Sequence, residues 1–176
     1  HLKNPITADS FKMMAPKGAR KVLVQVMDTL PWIPITEGRE AVLDVKNGVI
    51  QCDVNQDVLY IAQVERHGKN GNVGKAFMGG FKLKSGAIAS SVGHDNHNVI
   101  VLGTNLEDMA VAVNRVIELT GGQVVVDGGK VIEEVAYPVC GLLSDLSAED
   151  LAAEKKKLNK AIHERGSEIS IPFMFL

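Results

Sequence analysis

The chain has 176 residues, with 19 Lys+Arg against 21 Asp+Glu and a formal net charge of −2. That length suits one domain or slightly more, and 45% apolar with 23% charged residues can bury a core, which excludes a disordered or fibrous chain. The balanced charge and only 5% aromatic residues argue against duplex or single-strand nucleic-acid binding, and no run approaches the roughly 18 apolar residues of a membrane-spanning helix.

In chain order, residues 1–20 read as a linker or edge segment, punctuated by Pro5, Pro16 and Gly18. The N-terminus has no apolar targeting run and no initiator Met, so the chain is expected to start inside a longer reading frame of a cytoplasmic protein. Lys21 to Met27 is a β-rich strand. Pro31, Pro34 and Gly38 predict an irregular stretch around Trp32. Asn47-Gly48, between Ala41–Lys46 and Val49–Asp53, is a hairpin turn signal because both residues tolerate positive φ. Val58 to Val64 is apolar on both faces, as a central strand covered on both sides should be.

Gly68 to Gly80 then predicts a glycine-rich loop, followed by strands over Gly86–Val92 and Val99–Gly103. A helix is predicted over Asn105–Leu119, with Thr104 and Glu107 as a capping-box pair and Gly121 after its end. Its apolar positions Met109, Ala112, Val113, Val116 and Leu119 place one face on a sheet. Gln123–Val126 and Lys130–Val135 pair across Asp127-Gly128-Gly129. A last helix runs from Ala148 to Arg165, capped by Ser147 and stopped at Gly166, with Lys155-Lys156-Lys157 as a solvated face. Ile169 to Leu176 ends the chain in apolar residues, as a segment continuing into further structure would. Hairpins with two main helices predict an α+β or mixed α/β fold, a mixed β-sheet in layers with those helices.

Two polar clusters stand at strand ends. His94-Asp95-Asn96-His97-Asn98 interrupts two apolar strands; its imidazoles and carboxylate suit proton transfer or metal binding, or equally a locked turn. His94 and His97 alone fall short of the three protein ligands of a catalytic zinc. Glu65-Arg66-His67 follows the central strand and has the same two readings, functional cluster or local ion pairing. The loop Gly68–Lys75 is not a phosphate loop, since Lys69 stands where the first glycine is needed and Ala76 where Ser or Thr is needed. Cys52 and Cys140, in apolar or β-type surroundings, read as buried free thiols. His1 and His163 carry no functional reading.

The runs Val64-Glu65-Arg66-His67-Gly68, Gly80–Lys84, Gly86–Asn98, Gly103-Thr104-Asn105, Asp108-Met109, Gly121-Gly122 and Gly141-Leu142-Leu143-Ser144-Asp145 together resemble the C-terminal domain of bacterial and archaeal adenine deaminases. The resemblance is strongest from Asp57 to Asp145. Gly93 and Asn96 stand where the family has Ala and Ser, and Phe81-Lys82-Leu83 replaces Phe-Gly-Leu. It implies that residues 21–176 are the C-terminal domain, cut short at its end, of an amidohydrolase-superfamily enzyme of purine salvage. Such an enzyme hydrolyses adenine to hypoxanthine and ammonia. It would be a homo-oligomer whose manganese, iron or zinc lies in an upstream barrel domain, so no metal is expected in this chain, with a His94–His97 metal pair as the alternative. His94, Asp95 and His97 are then expected to support catalysis at the active-site mouth, and Glu65, Arg66, His67 and Asn98 to contact substrate. The other outcome is a purely structural or oligomerisation domain.

Overall fold

The computed structural model describes residues 5–30, 33–94 and 96–176, and of Pro34 the backbone alone. Among the described residues nine strands form one sheet, β1 (Lys21–Leu30), β2 (Ile33–Lys46), β3 (Val49–Ile50), β4 (Leu59–Val64), β5 (Val73–Gly79), β6 (Ala87–Ser90), β7 (Val99–Gly103), β8 (Gly122–Asp127) and β9 (Lys130–Ala136). Their order is β3-β2-β1-β5-β4-β7-β6-β8-β9. Only β1 and β5 run parallel; every other neighbouring pair is antiparallel. Two helices, α1 (Leu106–Glu118) and α2 (Ala148–Glu164), complete a layered α+β fold of the expected class.

Strand alternation decides which helix each side chain meets. Tyr60, Ala62, Ala87, Ala89, Val124 and Val126 pack in one core with Met109, Val113 and Val116 of α1. Their neighbours Leu59, Ile61, Ile88 and Val125 pack in a second core with Leu158, Ala161 and Ile162 of α2. The helices therefore lie on opposite faces, and β4, β6, β7 and β8 are buried between them. That burial is why Leu59 to Val64 is apolar at every position but Gln63.

Several local expectations are corrected. The stretch of Pro31, Pro34 and Gly38 contains the first half of β2, which pairs with β1 from Lys21↔Asp44 to Thr29↔Thr36. Trp32 lies outside the described residues. An edge position explains the tolerance of Pro34, because β3 covers only Val45 and Lys46 and leaves the rest of β2 without an outer neighbour. The predicted loop Gly68–Gly80 is a loop only to residue 72; Val73–Gly79 pairs with β4 from Val64↔Val73 to Leu59↔Met78. The N-cap of α1 is Asn105, whose Oδ1 accepts from Asp108 N at 2.7 Å, in place of the Thr104 pair.

The segment before β1 is packed against the domain. Phe11, in a 3₁₀ turn at Ala8–Phe11, is 1% exposed, and the Asn114 amide of α1 exchanges two hydrogen bonds with the Ile6 backbone. The Asn47-Gly48 and Gly128-Gly129 turns form as expected, all four residues with positive φ. Ser147 caps α2 as expected by accepting from Asp150 N. At the other end of the chain, Phe173 is buried on the α2 side of the sheet.

A polar loop cluster at one end of the sheet

Antiparallel succession brings the turns of one end together. The segment after β4, the one between β6 and β7, the one before β8 and the one after β9 all emerge at the same end of the sheet. The two sequence-predicted clusters, 65–67 and 94–98, therefore meet. Asn98 Oδ1 accepts from Arg66 N at 3.4 Å, and Arg66 Nε donates to the His97 carbonyl. His67 Nε2 lies 2.9 Å from the Asn96 carbonyl, and Gln63 Nε2 donates to Asn96 Oδ1 at 3.2 Å.

The Glu65 carboxylate faces its own loop. It accepts from the backbone N–H groups of His67, Lys69, Asn70 and Gly71. Those donors, Gly71 first, hold its carboxyl below the ordinary carboxylate range. A carboxylate held by four amides serves to close the glycine turn that follows β4.

Arg66 reaches a third segment that the sequence reading did not single out. Its Nη2 donates to the Cys140 carbonyl at 3.0 Å, while its guanidinium covers Gly141 so closely that a Cβ there would lie 2.6 Å from Nη1. Ser91 continues the tie: its Oγ donates to the Gly141 carbonyl at 2.5 Å and accepts from Gly122 N at 2.8 Å. One guanidinium and one hydroxyl thus join four loops. The signal for this was weak, because the carbonyls involved belong to backbone and only the glycines at 121, 122 and 141 marked the close approach.

Of the remaining candidates, His94 is exposed at the loop tip and His97 is half-buried with φ +52. Asp95 lies outside the described residues. Among the described residues no group of three or more His, Cys, Asp or Glu side chains gathers to hold a metal ion. Cys140 is exposed, contrary to expectation, since the loop turns its left-handed backbone outward; Cys52 is half-buried and its Sγ donates to the Thr104 carbonyl. Both thiols are free.

On the α2 side, a polar string runs beneath the cluster. Ser90 Oγ accepts from Val92 N and from Gln123 Nε2, and Gln123 Oε1 accepts from Tyr137 Oη and from the Lys155 ammonium. Lys155 also lies over the Phe173 ring at 5.0 Å. The expected solvated lysine face is therefore broken at Lys155, whose ammonium burial pushes it down to about 8.

Unfolded lysine keeps its proton up to its ordinary value of 10.5, so between about 8 and 10.5 the unfolded state binds more protons and the folded state gains stability as pH rises. Burial raises the Cys52 thiol to about 11, which acts in the opposite sense from 9 upward. Comparison with Lys155→Met cancels the Cys52 effect. The variant's stability relative to wild type is expected to fall by about 1 kcal/mol from pH 7 to pH 9.5, after allowing for solvent screening of a half-exposed group. Urea unfolding at both pH values checks this; a difference independent of pH would refute it.

The fold and its loops define a layered α+β domain that carries a braced polar cluster at one end of the sheet. The sequence profile of the adenine deaminase C-terminal domain matches residues 34–176. An adenine deaminase of Clostridium botulinum (strain Langeland) is 45% identical over 174 residues, 99% of this chain and 29% of that protein. Adenine deaminase 1 of Carboxydothermus hydrogenoformans is 45% identical over 98% of this chain and 28% of its own length, and the Methanococcoides burtonii adenine deaminase is 41% identical over 96% and 29%. This chain belongs to the adenine deaminase C-terminal domain family, and it spans less than a third of the length of these curated relatives.

Proposed function

We propose that this chain is the C-terminal domain of an enzyme that hydrolyses adenine with water to hypoxanthine and ammonia, and that its polar end contributes to the mouth of the active site. The observation that carries the reading is identity of 41–45% to proteins named adenine deaminase along nearly the whole chain. Within that reading the residues divide. Glu65, Arg66 and Asn98 build the loop cluster, and their polar groups are engaged with neighbouring backbone. His94, exposed on the cluster, and half-buried His97 are the imidazoles that this reading assigns to orient substrate or carry a proton.

The manganese, iron or zinc that the family resemblance implies belongs in this reading to a preceding barrel domain. The enzyme is placed in the cytoplasm, in purine salvage, as a homo-oligomer. Among the described residues no helix is long and apolar enough to cross a membrane.

The test is kcat/KM for adenine in the full-length enzyme, wild type beside His94→Asn and His97→Asn. Asparagine is apt at position 97 because it tolerates the positive φ found there. His94→Asn is expected to lose about a hundredfold with unchanged metal content. Changes within about threefold for both variants would assign the cluster to assembly of the enzyme, and a wild type inert toward adenine would overturn the substrate.

A further inference from the structure

The braced cluster borders a cleft of about 340 Å³ whose walls are mostly apolar, formed by Val99, Val116, Ile117 and Pro138 with Arg66 and Cys140 at its margin. The loop that lines one side of it also carries exposed apolar residues. Val139, between the lining residues Pro138 and Cys140, is 46% exposed, and Leu143, which pairs with it as an isolated bridge, is 64% exposed. Val92 follows Ser91, whose hydroxyl is bonded to that loop, and is 38% exposed. Apolar residues gathered around a cleft, beside a rigidly tied polar cluster, have the composition of an interaction surface.

The chain itself says what lies nearby. The Asn114 side chain holds the Ile6 backbone on α1 by two hydrogen bonds, of 3.0 and 2.8 Å. Asn114 stands three residues, about 4.5 Å along the axis, from the cleft residue Ile117. The backbone leading into the domain is thus tied to the helix that carries the cleft residues Val116 and Ile117. Its relatives carry more than two thirds of their length outside the segment matched here, and the matching family profile is that of a C-terminal domain, which makes a preceding part of the chain the occupant to consider.

We propose that this cleft and its Val139–Leu143 loop are the surface on which the preceding part of the full-length deaminase chain docks, with an apolar anchor from that part seated between Val116, Ile117 and Pro138. This rests on the reading of the chain as the C-terminal domain of a larger enzyme, and it names the face that meets the remainder. Docking here sets the His94 loop against the preceding domain and leaves the far end of the sheet, with the Gly128-Gly129 turn, in solvent.

Cys140, exposed on this domain at the cleft margin, is a built-in reporter. In the native full-length enzyme its modification by a maleimide at neutral pH, followed by peptide mass spectrometry, is expected to be at least about tenfold slower than in full-length Leu143→Asp. Val139→Lys should open it likewise, and Ile132→Asp, at an exposed apolar position on the far edge strand, should leave it protected. A wild-type Cys140 that reacts as fast as in Leu143→Asp and Val139→Lys would overturn the proposal. So would protection that disappears on dilution together with a fall in mass on a sizing column, since the occupant would then be a second copy. Adenine turnover on the same samples separates this from the underlying reading. Active enzyme with an open Cys140 defeats the docking surface alone, and protected Cys140 in an enzyme inert toward adenine defeats the substrate alone.

Discussion

Gly121→Ala is expected to destabilise the protein by about 3–5 kcal/mol, because it combines a backbone penalty with a backbone overlap. Gly121 follows α1 with φ +131, a conformation that L side chains rarely adopt. A Cβ there would run into the Gly141 Cα and come within 3.0 Å of its carbonyl carbon and oxygen. Neither segment can move easily. Gly121 N donates to the Val116 carbonyl and its own carbonyl accepts from Tyr137 N, while Gly141 is held by Ser91 and covered by Arg66.

Gly128→Ala provides the comparison. Its φ is +57, but a Cβ there meets nothing within 4 Å, so about 1 kcal/mol is expected from the backbone alone. Urea midpoints of the two variants at constant m-value give the difference directly. Equal costs at the two positions would show that the approach of residues 121 and 141 is not tight.

What the sequence could tell followed from how local each determinant was. The runs at 58–64, 99–103 and 105–119 were legible because their periodicity reports burial on two faces or on one, and burial is what the fold imposes there. The arm formed by β1 and β2 was half legible, since Pro34 and Gly38 break central strands but are tolerated on an edge, and edge status depends on the sheet order. In β5 the glycines suggested a loop. Gly79 is instead needed because a side chain there would collide with the Asp28 carboxylate, which is paired to Arg39. Lys155 looked like its two neighbours in sequence and differs only because it meets Gln123 and Phe173, from a strand and from the tail.

The candidate site shows the same division. That strand ends would gather polar residues was readable from the pattern, and the meeting of 65–67 with 94–98 follows from both flanking the same pair of antiparallel strands. The backbone contacts of Glu65 and Arg66 were not readable. Both were candidates for substrate contact because charged residues at strand ends often do chemistry. Backbone amides and carbonyls are among their partners here, and such groups leave no residue-type signature in a sequence.

Arg66→Ala is expected to cost about 2 kcal/mol, close to the value of two charge-assisted hydrogen bonds, one to a part-buried carbonyl and one to an exposed carbonyl. It removes the donors to His97 and Cys140 at once, so the loops at 94–98 and 138–142 lose their common tie. Arg66→Lys should recover less than half of that loss, since one ammonium cannot span two carbonyls that a planar fork reaches together. A purely electrostatic contribution would instead be restored by lysine. The contact with Gly141 supplies a second check. Gly141→Ala suffers both from its φ of +72 and from the guanidinium 2.6 Å from the new Cβ, and only the second part depends on Arg66. In an Arg66→Ala background Gly141→Ala should therefore cost about 1 kcal/mol less than in wild type, a coupling that a double-mutant cycle measures. Additive costs would place the guanidinium away from residue 141 and reduce the brace to two loops.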